Sequence, residues 1–130
     1  MKIAPSLLSA DFANLASELK DIEKAGADLV HLDVMDGHFV PNLTFGCPII
    51  KALRKHTTLP FDVHLMTEHP EVYFDDLATA GAAMVSFHAE AAVHHDRFVH
   101  AIQEKGMKAG IALNPGTPLS MVEELLPILD

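Results

Sequence analysis

The sequence predicts an α/β fold, a TIM (β/α)8 barrel of which this chain covers about the first five βα units. Two observations predict it. Short strand-like runs alternate with helical patterns and are separated by Gly and Pro, which is typical of repeated βα units around a parallel sheet. Ionisable side chains recur at alternate positions of two of these runs, as expected at the mouth of a barrel.

Five strands are predicted, each a short apolar run bounded by turn residues. They are Ile3–Leu8, Leu29–Val34, Phe61–Leu65, Met84–Phe87 and Lys108–Leu113. A complete barrel needs about 250 residues, so the 130 residues predict a single domain, 1–130, that forms the N-terminal part of a barrel. An open sheet with helices on both faces is the alternative, but one polar face on two strands favours the barrel.

Helices are predicted between the strands. The first follows from an apolar stripe at helical spacing, with an N-cap residue before it and a glycine at its end; these residues are Phe12, Leu15, Leu19, Ile22, Asp11 and Gly26. The other helices are predicted at about Pro48–His56, from about Pro70, at about Val93–Lys105 and from Pro118 onward.

Two imidazoles and a carboxylate stand at alternate positions of the second and third predicted strands. Successive side chains of a strand point to opposite faces, so His31 and Asp33 share one face, and a parallel neighbour brings His64 to it. Ionisable groups in a parallel strand are costly unless they are paired or bound to metal. Nitrogen and oxygen donors suit zinc or another divalent transition metal. The spacing therefore predicts a functional site.

The composition argues against a nucleic-acid-binding, a disulfide-bonded and a membrane-spanning protein. A formal charge of −9, from 18 acidic and 9 basic residues, argues against a nucleic-acid partner, which needs a basic face. The single cysteine, Cys47, excludes an intrachain disulfide, fits a reducing cytoplasm and is predicted to be structural. No apolar run approaches the about 20 residues of a membrane span. We therefore expect a cytoplasmic protein without membrane contact.

Three blocks of sequence carry a resemblance to a known family. They are Ile3–Phe12 (IAPSLLSADF), His31–Thr44 (HLDVMDGHFVPNLT) and Asp62–Met66 (DVHLM), with weaker matches at Phe87–Ala91 and Gly110–Pro118. In these blocks the chain resembles the ribulose-phosphate 3-epimerases, TIM-barrel enzymes of the pentose phosphate and Calvin pathways. The second block is the most specific.

The resemblance implies roles for particular residues. His31, Asp33 and His64 would bind a divalent metal, and Asp33 would also act as catalytic base. The same ligands accept zinc, iron, manganese or cobalt. Ser9 and His64 would contact the substrate, and Met35 and Met66 would line the cavity over the metal. Without the resemblance, Ser9 fits a helix cap equally well, and the methionines fit core packing.

The family completes its site with a second aspartate in an Asp-Gly-Gly motif and with glycine-rich phosphate loops, and neither motif occurs here. Asp62 does not match that aspartate and is predicted to be a buried structural carboxylate near the start of its strand. Asp36 is predicted to be a turn residue before Gly37.

The implied activity is the 3-epimerisation of D-ribulose 5-phosphate to D-xylulose 5-phosphate, by proton abstraction next to the ketone and a metal-stabilised enediolate. Inversion needs a second acid–base group, so the 130-residue chain alone is expected not to epimerise. Two alternatives stay open: a D-allulose 6-phosphate 3-epimerase, and an inactive metal-binding half-barrel that pairs with another copy. A homo-oligomer is expected because open strand edges favour pairing.

Overall fold

The computed structural model describes residues 1–130, which form four parallel strands and four α-helices. The strands are β1 (Val30–Met35), β2 (Phe61–Met66), β3 (Ala82–His88) and β4 (Lys108–Ala112). The helices are α1 (Leu15–Lys24), α2 (Cys47–Leu53), α3 (Phe74–Thr79) and α4 (His95–Glu104). Short 3₁₀ helices occupy connections, at Leu7–Ser9, Phe12–Asn14, Arg54–His56, Pro70–Tyr73, Ala89–Ala91, Leu119–Met121 and Glu123–Ile128.

The sheet has its strands in the order of the sequence, β1-β2-β3-β4, and every pairing is parallel. All four α-helices contribute buried residues to one apolar cluster, together with alternate residues of the strands such as Val30, Leu32, Phe61 and Val63. Helices therefore cover one face of the sheet, as they do outside a TIM barrel. This excludes the alternative with helices on both faces and confirms the barrel-type architecture.

The prediction of a first strand at Ile3–Leu8 is wrong. This segment lies beside β1, where Pro5 O accepts the amide of His31 at 2.9 Å, but it forms only an isolated bridge from Ser6 to His31. Pro5 has no N–H and cannot donate to a ladder. The chain then turns into a 3₁₀ helix at Leu7, capped by the Ser6 hydroxyl. The other strands lie within two residues of their predicted positions.

Two helices differ from their predictions. Phe12 does not join the buried stripe of α1: it is 44% exposed in a 3₁₀ turn, which Asp11 caps, and packs edge-on against Phe45. The segment after Pro118 forms 3₁₀ helices in place of an α-helix. Pro127 explains part of this, because it lacks the N–H that an α-helical hydrogen bond requires.

Helix ends follow the predicted glycine rule where the chain turns into β1. Gly26 adopts φ +83°, and Ala25 donates its amide back to Asp21 O at 2.9 Å. A residue in the left-handed conformation ends a helix at this place, and glycine adopts that conformation without steric strain.

None of the helices combines the length and the apolar character that crossing a bilayer demands.

Candidate metal centre

The register between β1 and β2 places the predicted ligands side by side. Asp33 pairs with His64, and His31 pairs with Asp62 two residues earlier in each strand. The residues between them are fully buried under the helices, for example Leu32 and Val63. Because side chains alternate along a strand, the polar residues all emerge on the face that the helices leave open.

His31, Asp33 and His64 converge on this open face. One ligand atom from each residue lies within 4.8 Å of the other two. Asp33 Oδ1 lies 3.2 Å from His31 Nε2 and 3.3 Å from His64 Nδ1. Two imidazole nitrogens and one carboxylate oxygen are donors that zinc and related divalent ions accept, and three protein ligands leave room for a substrate or water. The three residues can therefore hold a metal ion.

Asp62 fixes the direction in which His31 points. Its Oδ2 lies 2.8 Å from His31 Nδ1, so that the opposite ring nitrogen faces Asp33. Hydrogen bonds to Asp33 and then to Asp62 raise the pKa of His31 to about 10. Metal-binding histidines commonly have such a carboxylate on their second nitrogen, which orients the ring. Asp62 lies near the start of β2, as predicted, but it is only partly buried, and it contacts His31.

Asp33 is held from three sides. The Ser6 hydroxyl donates to its Oδ2 at 2.5 Å, and both imidazoles lie next to its Oδ1. Hydrogen bonds from His31, His64 and Ser6 keep the pKa of Asp33 far below its ordinary value. The carboxylate is therefore ionised although the residue is buried, and one lone-pair region points to the space between the two histidines.

His64 has a second neighbour in His88, from the end of β3. The two Nε2 atoms lie 2.9 Å apart, and the rings are nearly parallel with centroids 5.0 Å apart. Phe39 also packs against His88, at 4.8 Å between ring centroids. Burial, and next the proximity of His64, lower the pKa of His88. The His88 ring is therefore neutral at neutral pH.

The other residues predicted to contact the substrate or line its cavity lie in the sheet or in the first 3₁₀ helix. Met35 and Met66 pair with each other two residues after Asp33 and His64, on the same open face of the sheet. Both methionines are partly buried. Ser9 is exposed in the first 3₁₀ helix and makes no side-chain hydrogen bond. Its predicted contact with substrate stays a prediction, and the cap of that helix is Ser6.

Two predicted structural roles agree with the geometry. Asp36 Oδ1 accepts the amides of His38 and Phe39, and its Oδ2 accepts that of Glu68, so it joins the loops after β1 and β2. Burial raises the pKa of the Cys47 thiol, which favours the inert thiol over a nucleophile.

Sequence reasoning missed three contacts of the centre: Ser6 with Asp33, Asp62 with His31, and His88 with His64. A signal was available for Asp62, because it precedes His64 by two residues, as His31 precedes Asp33. For Ser6 and His88 the contact depends on how separate segments meet, which spacing along one strand does not reveal.

Comparisons with known proteins agree with this geometry. A sequence profile described as the ribulose-phosphate 3 epimerase family matches residues 2–130. The chain belongs to the ribulose-phosphate 3-epimerase family. Relatives named ribulose-phosphate 3-epimerase in Bacillus subtilis and Treponema pallidum are each 55% identical to it, over 100% and 98% of this chain and over 60% and 59% of their own.

A third relative, from Oryza sativa, is named the cytoplasmic isoform of ribulose-phosphate 3-epimerase and is 50% identical over 99% of this chain and 56% of its own. The family member described here thus spans about 60% of the length of these relatives. Its site residues all lie within the matched region.

Solved structures support the fold. A mutant tryptophan synthase α-subunit from Pyrococcus furiosus aligns with a TM-score of 0.69, over 98% of this chain and 62% of its own, at 16% identity. A racemase from Streptomyces coelicolor aligns with a TM-score of 0.61, over 98% of this chain and 39% of its own, at 14% identity. At such identities the likeness concerns the fold alone, which is that of a partial TIM barrel.

Proposed function

We propose that this chain carries the metal centre and one acid–base group of an epimerase that interconverts D-ribulose 5-phosphate and D-xylulose 5-phosphate. The observation that carries the proposal is the convergence of His31, Asp33 and His64 on the open face of the sheet. The names of the relatives supply the substrate class. Residues 1–130 are then one domain, the N-terminal part of a ribulose-phosphate-binding barrel.

His31, Asp33 and His64 are the proposed ligands of a divalent cation. The donor set fits zinc, iron, manganese or cobalt, because imidazole and carboxylate are accepted by all four. The orientation of His31 by Asp62 also fits, because it leaves Nε2 free to bind. When bound, the ion supplies Lewis-acid stabilisation of negative charge on substrate oxygens, worth several kcal/mol.

Asp33 is the proposed catalytic base. Inverting the carbon next to a ketone requires removal of its proton on one face and delivery of a proton on the other. Asp33 is ionised, as a base must be before it takes a proton, and Ser6 fixes the direction of its carboxylate. Asp62 is engaged by His31 and does not serve as the second group. We therefore propose that the 130-residue chain alone exchanges the C3 proton but does not invert the carbon.

Substrate contacts are proposed for Ser9 and His64, and a cavity wall for Met35 and Met66. The position of the methionine pair, one step beyond the metal ligands on the same face, supports the latter role. Apolar side chains at this place would exclude water from the reacting carbon. The Ser6 hydroxyl, already at Asp33, is better placed than Ser9 to influence the base.

Hydrogen–deuterium exchange tests this function without requiring a complete turnover. The metal-loaded chain is incubated with D-ribulose 5-phosphate in D2O, and the C3 proton is followed by NMR. We expect exchange at C3 without D-xylulose 5-phosphate, and no exchange with the Asp33→Asn variant. His94→Phe, on an exposed residue at the start of α4, is the matched control.

The outcomes separate the alternatives. Exchange with inversion would support the function and overturn the claim that this chain alone does not epimerise. Faster exchange of D-allulose 6-phosphate would favour the hexose phosphate enzyme. Metal binding with no exchange above that of Asp33→Asn would leave a non-catalytic metal-binding half-barrel and contradict the proposal.

We also propose a cytoplasmic location and a homo-oligomeric state. The single cysteine and the name of the rice relative support the location. The mass in solution, measured by light scattering, tests the assembly, and a monomer at all concentrations would contradict it.

A further inference from the structure

We propose that Phe39, in the loop between β1 and α2, forms the wall of the substrate cavity on the side of β3 and keeps water away from the reacting carbon. The inference rests on the proposed function. It extends the apolar lining of the cavity from the methionine pair to a residue that lies on a loop rather than on a strand.

The loop after β1 is exposed except where two apolar residues turn inward. Gly37 and His38 are exposed on one side, as is the range Pro41–Leu43 on the other, whereas Phe39 and Val40 are half-buried. Phe39 does not belong to the apolar cluster under the helices. Its burial therefore arises on a different part of the molecule.

The Phe39 ring lies against the open face of the sheet. Its centroid is 4.8 Å from that of His88, with the two ring planes inclined by 48°. Phe87 is buried under the helices, so His88, the next residue of β3, stands on the open face. Because β2 lies between β1 and β3, the loop crosses the end of β2, where Met66 stands. The ring thus continues the row of Met35 and Met66 toward β3.

A carboxylate fixes the part of the loop that carries this ring. Asp36 Oδ1 accepts the amides of His38 and Phe39 at 2.8 and 2.9 Å. Asp36 Oδ2 accepts the amide of Glu68, in the loop after β2, at 2.9 Å. The backbone of Phe39 is therefore held to both strands of the candidate metal centre.

The other end of the loop is tied to the backbone of the proposed base. Thr44 Oγ1 donates to Asp33 O at 2.7 Å and accepts the amide of Met35 at 3.0 Å. Within the loop, Gly37 has φ +75° and donates its amide to Asn42 O at 3.0 Å. Both ends are thus fixed relative to Asp33. A side chain on such a loop is positioned before a ligand arrives, which lowers the ordering cost of binding.

An aromatic ring at this position can serve the proposed chemistry. Apolar surface that excludes water strengthens the electrostatic interactions inside a site. Packing of the loop alone is the competing explanation for the contact with His88. Loop packing predicts that removing the ring changes the order of the loop only, whereas a cavity wall predicts that solvent and substrate are affected at the open face.

The first measurement follows the access of solvent to the open face in the metal-free 130-residue chain. A dissolved nitroxide relaxes the ε-methyl signals of the methionines in NMR spectra, and Met66→Leu assigns the signal of Met66. Met121, which is 47% exposed, is the internal reference. The variants are Phe39→Ala and Phe39→Leu. Leu43→Ala is the matched control, because Leu43 lies in the same loop and is 78% exposed.

We expect the nitroxide to relax Met66 less than Met121 in the wild type and in Leu43→Ala. In Phe39→Ala the relaxation of Met66 should rise toward that of Met121, and Phe39→Leu should lie between the two because leucine fills part of the space. A folded Phe39→Ala with wild-type relaxation of Met66 would overturn the inference.

The second measurement uses D-ribulose 5-phosphate and the Zn²⁺-loaded chain. The KM for exchange of the C3 proton in D2O should rise about tenfold in Phe39→Ala, the scale of one lost apolar contact in a substrate pocket. Zn²⁺ affinity should not change, because phenylalanine supplies no ligand atom. Leu43→Ala should keep the wild-type KM, and a wild-type KM in Phe39→Ala would overturn the role toward substrate.

The two measurements separate this inference from the proposed function. If the wild type exchanges no C3 proton, the proposed function fails, and the methyl relaxation still decides whether Phe39 covers the open face. If Phe39→Ala does not fold, Phe39→Leu decides: a rise in the relaxation of Met66 supports the wall, and the wild-type value contradicts it.

Discussion

The two faces of the same four strands differ in what their residues do. On the face toward the helices, Val30, Leu32 and Val34 of β1 are buried with aliphatic and aromatic partners in one cluster. On the open face, His31, Asp33 and Met35 alternate with them, and the first two form ion pairs and hydrogen bonds. Consecutive residues of one strand thus belong to different environments.

Because side chains alternate along a strand, the residues that stabilise the fold lie on one face of the sheet and the residues of the candidate metal centre lie on the other. Burial of apolar surface on the helix side stabilises the fold at about 25 cal/mol per Å². The polar face adds little to the free energy of unfolding, since charged groups lose hydration when they are buried. Substitutions on one face should therefore change unfolding, and substitutions on the other should change metal binding.

The largest effect is expected for Asp33→Asn on the open face. Loss of the charged ligand should lower divalent-metal affinity on the order of a thousandfold, because ligands of a zinc site share about 10–16 kcal/mol of binding free energy. Chelator competition measures the affinity, and circular dichroism shows whether the variant folds. Unchanged affinity in the folded variant would remove Asp33 from the metal centre.

Leu32→Ala tests the opposite face at the neighbouring position. Leu32 is fully buried, so we expect a loss of about 2–5 kcal/mol in the free energy of unfolding, measured by urea titration. The fraction that remains folded should bind metal with wild-type affinity. A large change in metal affinity without a loss of stability would mean that the two faces are not separate.

Asp62→Asn tests the orientation of His31. The amide keeps the shape of the carboxylate but loses the charge that holds the Nδ1 proton, so metal affinity should fall about 10- to 100-fold. The pKa of His31 in the metal-free protein should also fall, because Asp62 contributes to its elevation. NMR titration of His31 and chelator competition check the two effects, and an unchanged pKa would exclude the contact.

The smallest effect, counted per pH unit, is the pH dependence of metal binding. The raised pKa of His31, about 10, favours its charged form in the metal-free protein. The stability that this charge contributes is full below about pH 6.5, the unfolded pKa, and is lost as pH rises through about 10. A metal ion needs the neutral ring and must displace the proton.

Metal affinity should therefore rise with pH, by about tenfold per unit for each proton released. Calorimetry in buffers of different ionisation enthalpy counts the released protons between about pH 6 and 8. An affinity that stays flat over this range would show that His31 is already neutral in the metal-free protein, against the ion pairs described above.

The strands and the convergence of the three proposed ligands were predictable because they depend on periodicity. Alternation alone puts His31 and Asp33 on one face, and parallel pairing of neighbouring strands adds His64. The first strand was mispredicted because hydrophobic pattern outweighed the missing N–H of Pro5. The last helix was mispredicted for a related reason, since Pro127 lies inside the segment that was predicted to be helical.

The partners of the ligands were not predictable from one strand at a time. Ser6 reaches Asp33 from the segment beside β1, and His88 reaches His64 from the end of β3. These contacts depend on the register between strands and on where each strand ends. Register is fixed by packing of the whole sheet, which is a tertiary property.

The most direct test of the central claim is the stoichiometry of Co²⁺ binding, followed by its visible absorption, in the wild type and in the His31→Ala and His64→Ala variants. The account predicts one tightly bound ion per chain, with a spectrum that indicates nitrogen and oxygen ligands, and loss of that ion in both variants. Tight binding with an unchanged spectrum in either variant, or no binding by the folded wild type, would contradict it.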